Sequence, residues 1–174
     1  GIVHRDLKPE NVFLLEGRDE IRLLDFGIAR FQEGDGLTLT MELLGTPGYL
    51  APEQVRGDSS GIGPHTDVFA LGAIVYRALT GKGAFPSRLP AAAVYEAMHL
   101  TPTAPTVLRP DLPEDLDYVL ALALAKRREN RYATPSLLAR DLRQAARGEL
   151  DEASRLSARS LAPAITVVQV PTVQ

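Results

Sequence analysis

The chain contains no cysteine, which excludes disulfides, thiolate metal sites and cysteine nucleophiles and is compatible with a reducing cytoplasm. It lacks an excess of either charge. Its 19 Lys and Arg face 22 Asp and Glu, a net charge of −3, so no basic field argues for nucleic acid or an anionic membrane as partner. Long apolar runs are absent: the most apolar stretch, Val68 to Leu79, is interrupted by Gly72 and Arg77 and falls short of the roughly 18 to 20 residues a bilayer span needs. No signal peptide opens the chain, no internal repeat is visible, and Gly1 in place of an initiator methionine points to an artificial or truncated start. Gly34-Asp35-Gly36 and Gly61-Ile62-Gly63 each lack the third glycine and the strand of a G-x-G-x-x-G phosphate loop. What is present is a chain of 174 residues, one domain in size and long enough to bury roughly 70% of its unfolded surface.

Val12-Phe13-Leu14-Leu15 and Ile21-Arg22-Leu23-Leu24 are short apolar runs around Glu16 to Glu20, the pattern of a β-hairpin. From Asp25 to Glu53 the apolar period breaks and glycine is frequent. A long irregular segment inside a compact domain is usually functional. Asp67 to Thr80 is apolar on nearly every side, which predicts a buried helix with Thr66 as N-cap and Gly81 just past its end. Three more helices are expected at about Pro90 to Leu100, Pro113 to Arg127 and Pro135 to Arg147, with Pro113 and Thr134-Pro135 as start signals. The segment from Gly148 to Gln174, rich in serine and alanine, reads as a linker, and Ile165 to Pro171 has strand propensity without an obvious partner.

The densest chemistry lies in His4-Arg5-Asp6-Leu7-Lys8-Pro9-Glu10-Asn11. Asp6 can accept a proton from a hydroxyl, and Lys8, two residues on and so on the same side of an extended segment, would place an ammonium beside a transferring phosphate. Asn11 and Asp25 flank the two strands, so the hairpin returns Asp25 to the neighbourhood of Asn11. One amide oxygen and one carboxylate suit Mg²⁺, which takes few protein ligands and fills the rest with phosphate and water. His4 is expected to pack, and His65 and His99 are isolated and expected at the surface, so neither suggests a metal site.

In order, this loop, Asp25-Phe26-Gly27, Gly45-Thr46-Pro47-Gly48-Tyr49-Leu50-Ala51-Pro52-Glu53, Asp67-Val68-Phe69-Ala70-Leu71-Gly72 and Arg131 resemble the motifs of the C-terminal lobe of a eukaryotic-type Ser/Thr protein kinase, of bacterial flavour. The resemblance implies the large lobe of the kinase fold, mainly α with a small β-hairpin, over residues 1–147. It implies ATP and Mg²⁺ as cofactors, Asp6 as base, Lys8 as the phosphate contact, Asn11 and Asp25 as metal ligands, and Phe13 as part of the floor under adenine. Glu53 would pair with Arg131, and Asp67 would hydrogen-bond the catalytic-loop backbone. Lys8 and Thr46 point to serine or threonine hydroxyls of proteins as acceptors. Arg5 beside Asp6 implies control by a phosphate on the activation segment, with Thr38 and Thr40 as its candidates, and a kinase homodimer as a route to autophosphorylation.

The sequence departs from that pattern where no V-A-I-K lysine precedes the catalytic loop, and where Arg127 and Arg128 replace an acidic or amide residue followed by proline. The isolated chain is therefore expected to have negligible kinase activity of its own, and to expose an apolar patch on the buried helix. The rival reading is a catalytically silent kinase remnant that serves as an interaction module. Localisation is expected to be cytoplasmic, with a membrane anchor elsewhere in a longer protein compatible with it.

Overall fold

The computed structural model describes residues 2–15, 17, 20–24 and 47–161. Within them, strands β1 (Val12–Leu14) and β2 (Ile21–Leu23) precede helices α1 (Pro52–Val55), α2 (Pro64–Thr80), α3 (Pro90–His99), α4 (Pro105–Leu108), α5 (Asp115–Ala123), α6 (Pro135–Ala145) and α7 (Glu152–Leu161). The architecture is mainly helical, with one antiparallel hairpin in which Val12 pairs with Leu23, Phe13 with Arg22 and Leu14 with Ile21. A further bond from Leu24 N to Asn11 O (3.0 Å) ties the base of the hairpin to the end of the His4 to Asn11 segment.

Helix α2 is the axis of the core. Val68, Phe69, Ala70, Ala73 and Tyr76 are each at most 4% exposed, and full burial of a large apolar side chain contributes about 1.5–3 kcal/mol. On one side Phe69, Ala73 and Tyr76 pack with Tyr49, Phe85, Ala97 and Leu120. On the other, Val68 packs with Leu116, Val119, Leu138 and Leu150. Gly72 lets α2 approach α5 closely, because a Cβ there would sit 2.8 Å from the Ala123 Cβ. Gly72→Val should therefore destabilise by about 1–3 kcal/mol through overpacking, read as a lower urea midpoint at unchanged slope.

Helix α2 starts three residues before the expected Asp67. Pro64 occupies the first helical position, where its fixed φ favours the helix. Thr66 lies inside the first turn rather than at the N-cap, and its Oγ1 accepts from Gly63 N (3.1 Å). Gly81 ends the helix in the left-handed region at φ +71°, its N–H donating to Arg77 O. Helix α5 is shorter than Pro113 to Arg127 because the carbonyls of Ala125 and Lys126 turn away to accept from Arg131 (2.7 and 3.2 Å).

The stretch expected to be a linker needs correction between Gly148 and Leu161. Helix α7 packs on α5, with Leu150 and Ala158 each 3% exposed. Asp115 on α5 accepts from Arg155 Nε and a second guanidinium nitrogen (2.8 and 2.9 Å) and from Leu150 N (3.1 Å). Ser154 donates to the fully buried Asp141 of α6 (3.0 Å). Composition suggested a linker because the alanines and serines carry little apolar signal, whereas polar partners far away in sequence dock this helix. Residues 162–174, including the Ile165 to Pro171 run, lie outside the described residues.

Candidate active site

Asp6, Lys8 and Asn11 converge through local geometry. Lys8 is extended (φ −158°, ψ 162°), and a single 3-10 turn at Pro9–Asn11 then folds the chain back. That turn lets Asn11 Nδ2 donate to Asp6 O (2.8 Å) and to Asp6 Oδ2 (3.2 Å). Lys8 Nζ lies 3.2 Å from the same carboxylate oxygen. Asn11 is 5% exposed. A proton acceptor, an ammonium and an amide thus share one small surface beside the hairpin.

The loop is held from below. Asp67, in the first turn of α2, accepts from His4 N (2.8 Å) and Arg5 N (3.0 Å). Gln54 Nε2 donates to Arg5 O (2.7 Å) while its Oε1 accepts from Ala51 N (3.1 Å). Both backbone polar groups of Arg5 are therefore taken by side chains, and Arg5 has a φ of +67°, the left-handed region. Such a conformation costs a non-glycine residue about 1–3 kcal/mol and persists where its surroundings enforce it, most often at functional sites. His4 is buried, accepting from Asp6 N at Nδ1 (3.4 Å) with Nε2 3.1 Å from Leu24 O.

Glu53, in α1, and Arg131 form a two-pronged ion pair at 2.8 and 2.9 Å, with the two side chains 5% and 0% exposed. Thr66 Oγ1 donates to Glu53 (2.9 Å), and Arg131 also donates to the carbonyl of His65 (3.2 Å) while lying 4.9 Å from the Phe69 ring centre. Burial alone would raise the Glu53 carboxyl, but the hydrogen bonds and charge of Arg131 outweigh it and hold the group below its ordinary value.

Next to this pair, Lys126 Nζ donates to Ala97 O (2.8 Å) at the end of α3 and sits 4.1 Å from the Phe85 ring centre. Burial, reinforced by the charge of Arg131, pushes its ammonium down to about 7. The unfolded chain then binds more protons than the folded one between about pH 7 and the ordinary lysine value near 10.4. Stability should rise with pH across pH 7 to 9, and Lys126→Met should flatten that rise in urea titrations.

Of the residues expected to serve the site, Asp6, Lys8 and Asn11 meet one another, Arg5 and Asp67 meet beneath them, and Glu53 meets Arg131. Phe13 lies on β1, 48% exposed. Asp25, Thr38, Thr40 and Thr46 lie outside the described residues. Sequence reasoning missed Gln54, Thr66 and Lys126, whose roles depend on partners at 49, 13 and 29 residues' separation. It also placed His65 at the surface, whereas that residue is half-buried with Nε2 2.8 Å from Gly61 O. Gln54 alone had a signal, its place directly after Glu53. For a metal, the Asn11 amide fits: its NH₂ is committed to Asp6, which turns the hard carbonyl oxygen away from that carboxylate, as Mg²⁺ ligation requires.

A family model described as the protein kinase domain matches residues 1–143. The chain is 39% identical over 158 residues to "Serine/threonine-protein kinase PknB" of Mycobacterium tuberculosis (strain ATCC 25618 / H37Rv), covering 90% of this chain and 25% of that protein. It is 37% identical over 157 residues to PknB of Mycobacterium leprae (strain TN), with the same coverages. Against "Probable serine/threonine-protein kinase PknB" of Bifidobacterium longum (strain NCC 2705) it is 37% identical over 144 residues, 82% of this chain and 20% of that protein. The chain thus spans a quarter or less of the length of these relatives. With an Asp, Lys and Asn gathered on a loop that Asp67 anchors, and with this match over most of its length, the chain belongs to the protein kinase domain family, as part of a Ser/Thr kinase domain.

Proposed function

We propose that the protein carrying this chain transfers the γ-phosphate of ATP to serine and threonine hydroxyls of other proteins. The observation that carries the proposal is the Asp6-Lys8-Asn11 cluster, in which one carboxylate oxygen is met by both an ammonium and an amide at 3.2 Å. Asp6 takes the proton of the acceptor hydroxyl as the new P–O bond forms. Lys8 balances the charge on the phosphate oxygens, and Asn11 with Asp25 would hold Mg²⁺, which supplies charge neutralisation when bound. Arg5 and the threonines Thr38 and Thr40 extend the proposal to activation by phosphorylation, in a homodimer that phosphorylates itself. Among the described residues no helix is long and apolar enough to cross a membrane, and the proposal places this part of the protein in the cytoplasm because its reaction consumes ATP.

The test is incubation of the full-length protein with Mg²⁺, radiolabelled ATP and a mixed peptide pool, followed by phosphoamino-acid analysis. Label on serine and threonine is expected. Label on tyrosine alone, or none from an intact, folded protein, would overturn the assignment.

A further inference from the structure

The peptide group that joins Arg5 to Asp6 is held at both of its polar ends. Its oxygen, Arg5 O, accepts from Gln54 Nε2 (2.7 Å), and its N–H, that of Asp6, donates to His4 Nδ1 (3.4 Å). The N–H of Arg5 itself goes to Asp67 (3.0 Å). Arg5 between them has a φ of +67°, a conformation that a non-glycine residue keeps only where its surroundings enforce it. The bond from Gln54 is the shortest of these three, and it comes from α1, outside both the His4 to Asn11 loop and the helix that carries Asp67.

Gln54 spans two segments. It is 7% exposed, and its Oε1 accepts from Ala51 N (3.1 Å) at the start of α1 while its Nε2 reaches Arg5, 49 residues away in sequence. Only one orientation of the amide satisfies both contacts, because the Ala51 N–H can only donate and the Arg5 carbonyl can only accept. Capping the helix uses the oxygen alone. The Nε2 bond is therefore left over by the capping role, and it ends on the one peptide group that leads into Asp6.

Resting on the kinase reading above, in which Asp6 is the base, we propose that Gln54 is a positioning residue for the reaction. By holding Arg5 O it fixes the plane of the Arg5–Asp6 peptide, and with it the direction in which Asp6 presents its carboxylate to the acceptor hydroxyl. Without that bond the left-handed Arg5 loses one of its restraints and the peptide can turn. A misplacement of about 1 Å at the reacting atoms is enough to cost about 10²-fold in rate. Because the other end of the same amide holds Ala51 N, one side chain also ties the end of the Pro47 to Ala51 segment to the position of the base.

The experiment uses the full-length protein with Mg-ATP and an acceptor peptide. Gln54→Met keeps the length of the side chain and removes both bonds. Its kcat should fall by about 10- to 100-fold, with KM for Mg-ATP within about twofold of the wild type, and amide hydrogen exchange across residues 4–11 should be faster. Gln54→Glu keeps an acceptor for Ala51 N and changes only the end that faces Arg5 O. Ionised, its carboxylate sets an acceptor against an acceptor; protonated, it donates to Arg5 O as the amide does, and burial favours that neutral form. The ratio of its kcat to that of the wild type at the same pH should therefore rise as pH falls from about 8 to about 5.5. His4, Asp6, Glu53, Asp67 and Arg131 are common to both proteins, so the ratio reports the new carboxyl. Thermal midpoints taken at each pH show how much of each variant is folded at the assay temperature. A Gln54→Met kcat within about twofold of the wild type, a Gln54→Glu ratio that does not move with pH, or losses no larger than the loss of folded protein would each overturn the proposal. If the wild type transfers no phosphate, the kinase reading falls and exchange alone decides on Gln54: faster exchange across residues 4–11 in Gln54→Met supports its hold on the Asp6 peptide, and unchanged exchange overturns it.

Discussion

Asp6→Asn is expected to lower kcat for phosphoryl transfer by about 10²- to 10⁴-fold, with a far smaller change in KM for ATP and a thermal midpoint modestly below that of the wild type. The substitution keeps the shape of the side chain, and its amide oxygen can still accept the hydrogen bond that Asn11 Nδ2 makes at 3.2 Å. A neutral amide cannot take the proton of the acceptor hydroxyl, so the loss falls on the chemical step. It also removes the charge facing Lys8, in a pair whose side chains are only 15% and 13% exposed, so a modest fall in the thermal midpoint should accompany the loss of activity. The fold of the loop should survive because its anchors are elsewhere, in the bonds from His4 N and Arg5 N to Asp67 and from Gln54 to Arg5 O. A variant that kept wild-type kcat would remove Asp6 from the role of base, and one that lost its thermal transition would show that Asp6 holds the loop as well.

Arg131→Met should be the most destabilising single change at the site, by about 3–5 kcal/mol, against a total stability of about 5–15 kcal/mol for a domain of ordinary size. It strips a buried carboxylate of both its bonds to a cation, leaving it only the bond from Thr66 Oγ1, and leaves the carbonyls of Ala125, Lys126 and His65 without the donor they share. Glu53→Leu in the Arg131→Met background should recover part of the loss, because the penalty lies largely in the uncompensated charge. The pH dependence carries its own sign. In the wild type the Glu53 carboxyl is held below its ordinary value, so the stabilisation is complete above the unfolded carboxylate value, near 4.3, and is lost as pH falls through the lower folded value. In Arg131→Met burial acts almost unopposed and raises that carboxyl, so stability is lost as pH rises through it. From Glu53, urea midpoints should slope upward with pH below about pH 4.3 in the wild type, and downward with pH above about 4.3 in the variant. Parallel slopes would mean that Glu53 is not the group governed by Arg131.

The site was legible to the extent that it is local. Asp6, Lys8 and Asn11 lie within six residues of one another, and an extended step followed by one proline-started turn is enough to bring them together. The hairpin was legible for the same reason, as two short apolar runs with a polar break. Glu53, Asp67 and Arg131 stood out only through family resemblance, since nothing in their own neighbourhoods says that a carboxylate and a guanidinium 78 residues apart share a dry pocket. Gln54 had only its place directly after Glu53 as a sign, and Lys126 had none. An amide and a lysine are ordinary surface residues until the Arg5 carbonyl and the end of α3 are placed against them.

By itself, then, the sequence determined the family, the chemical identities along the His4 to Asn11 loop and the buried character of α2, because short-range spacing and apolar periodicity are properties of the chain. Tertiary structure decided what holds those groups in place: the left-handed Arg5 gripped between Asp67 and Gln54, the pairing of Glu53 with Arg131 and the docking of α7 on Asp115. Each of these is a hydrogen bond or charge contact between distant residues, and its strength depends on burial. Burial is a property of the packed molecule and cannot be assigned to any residue in isolation.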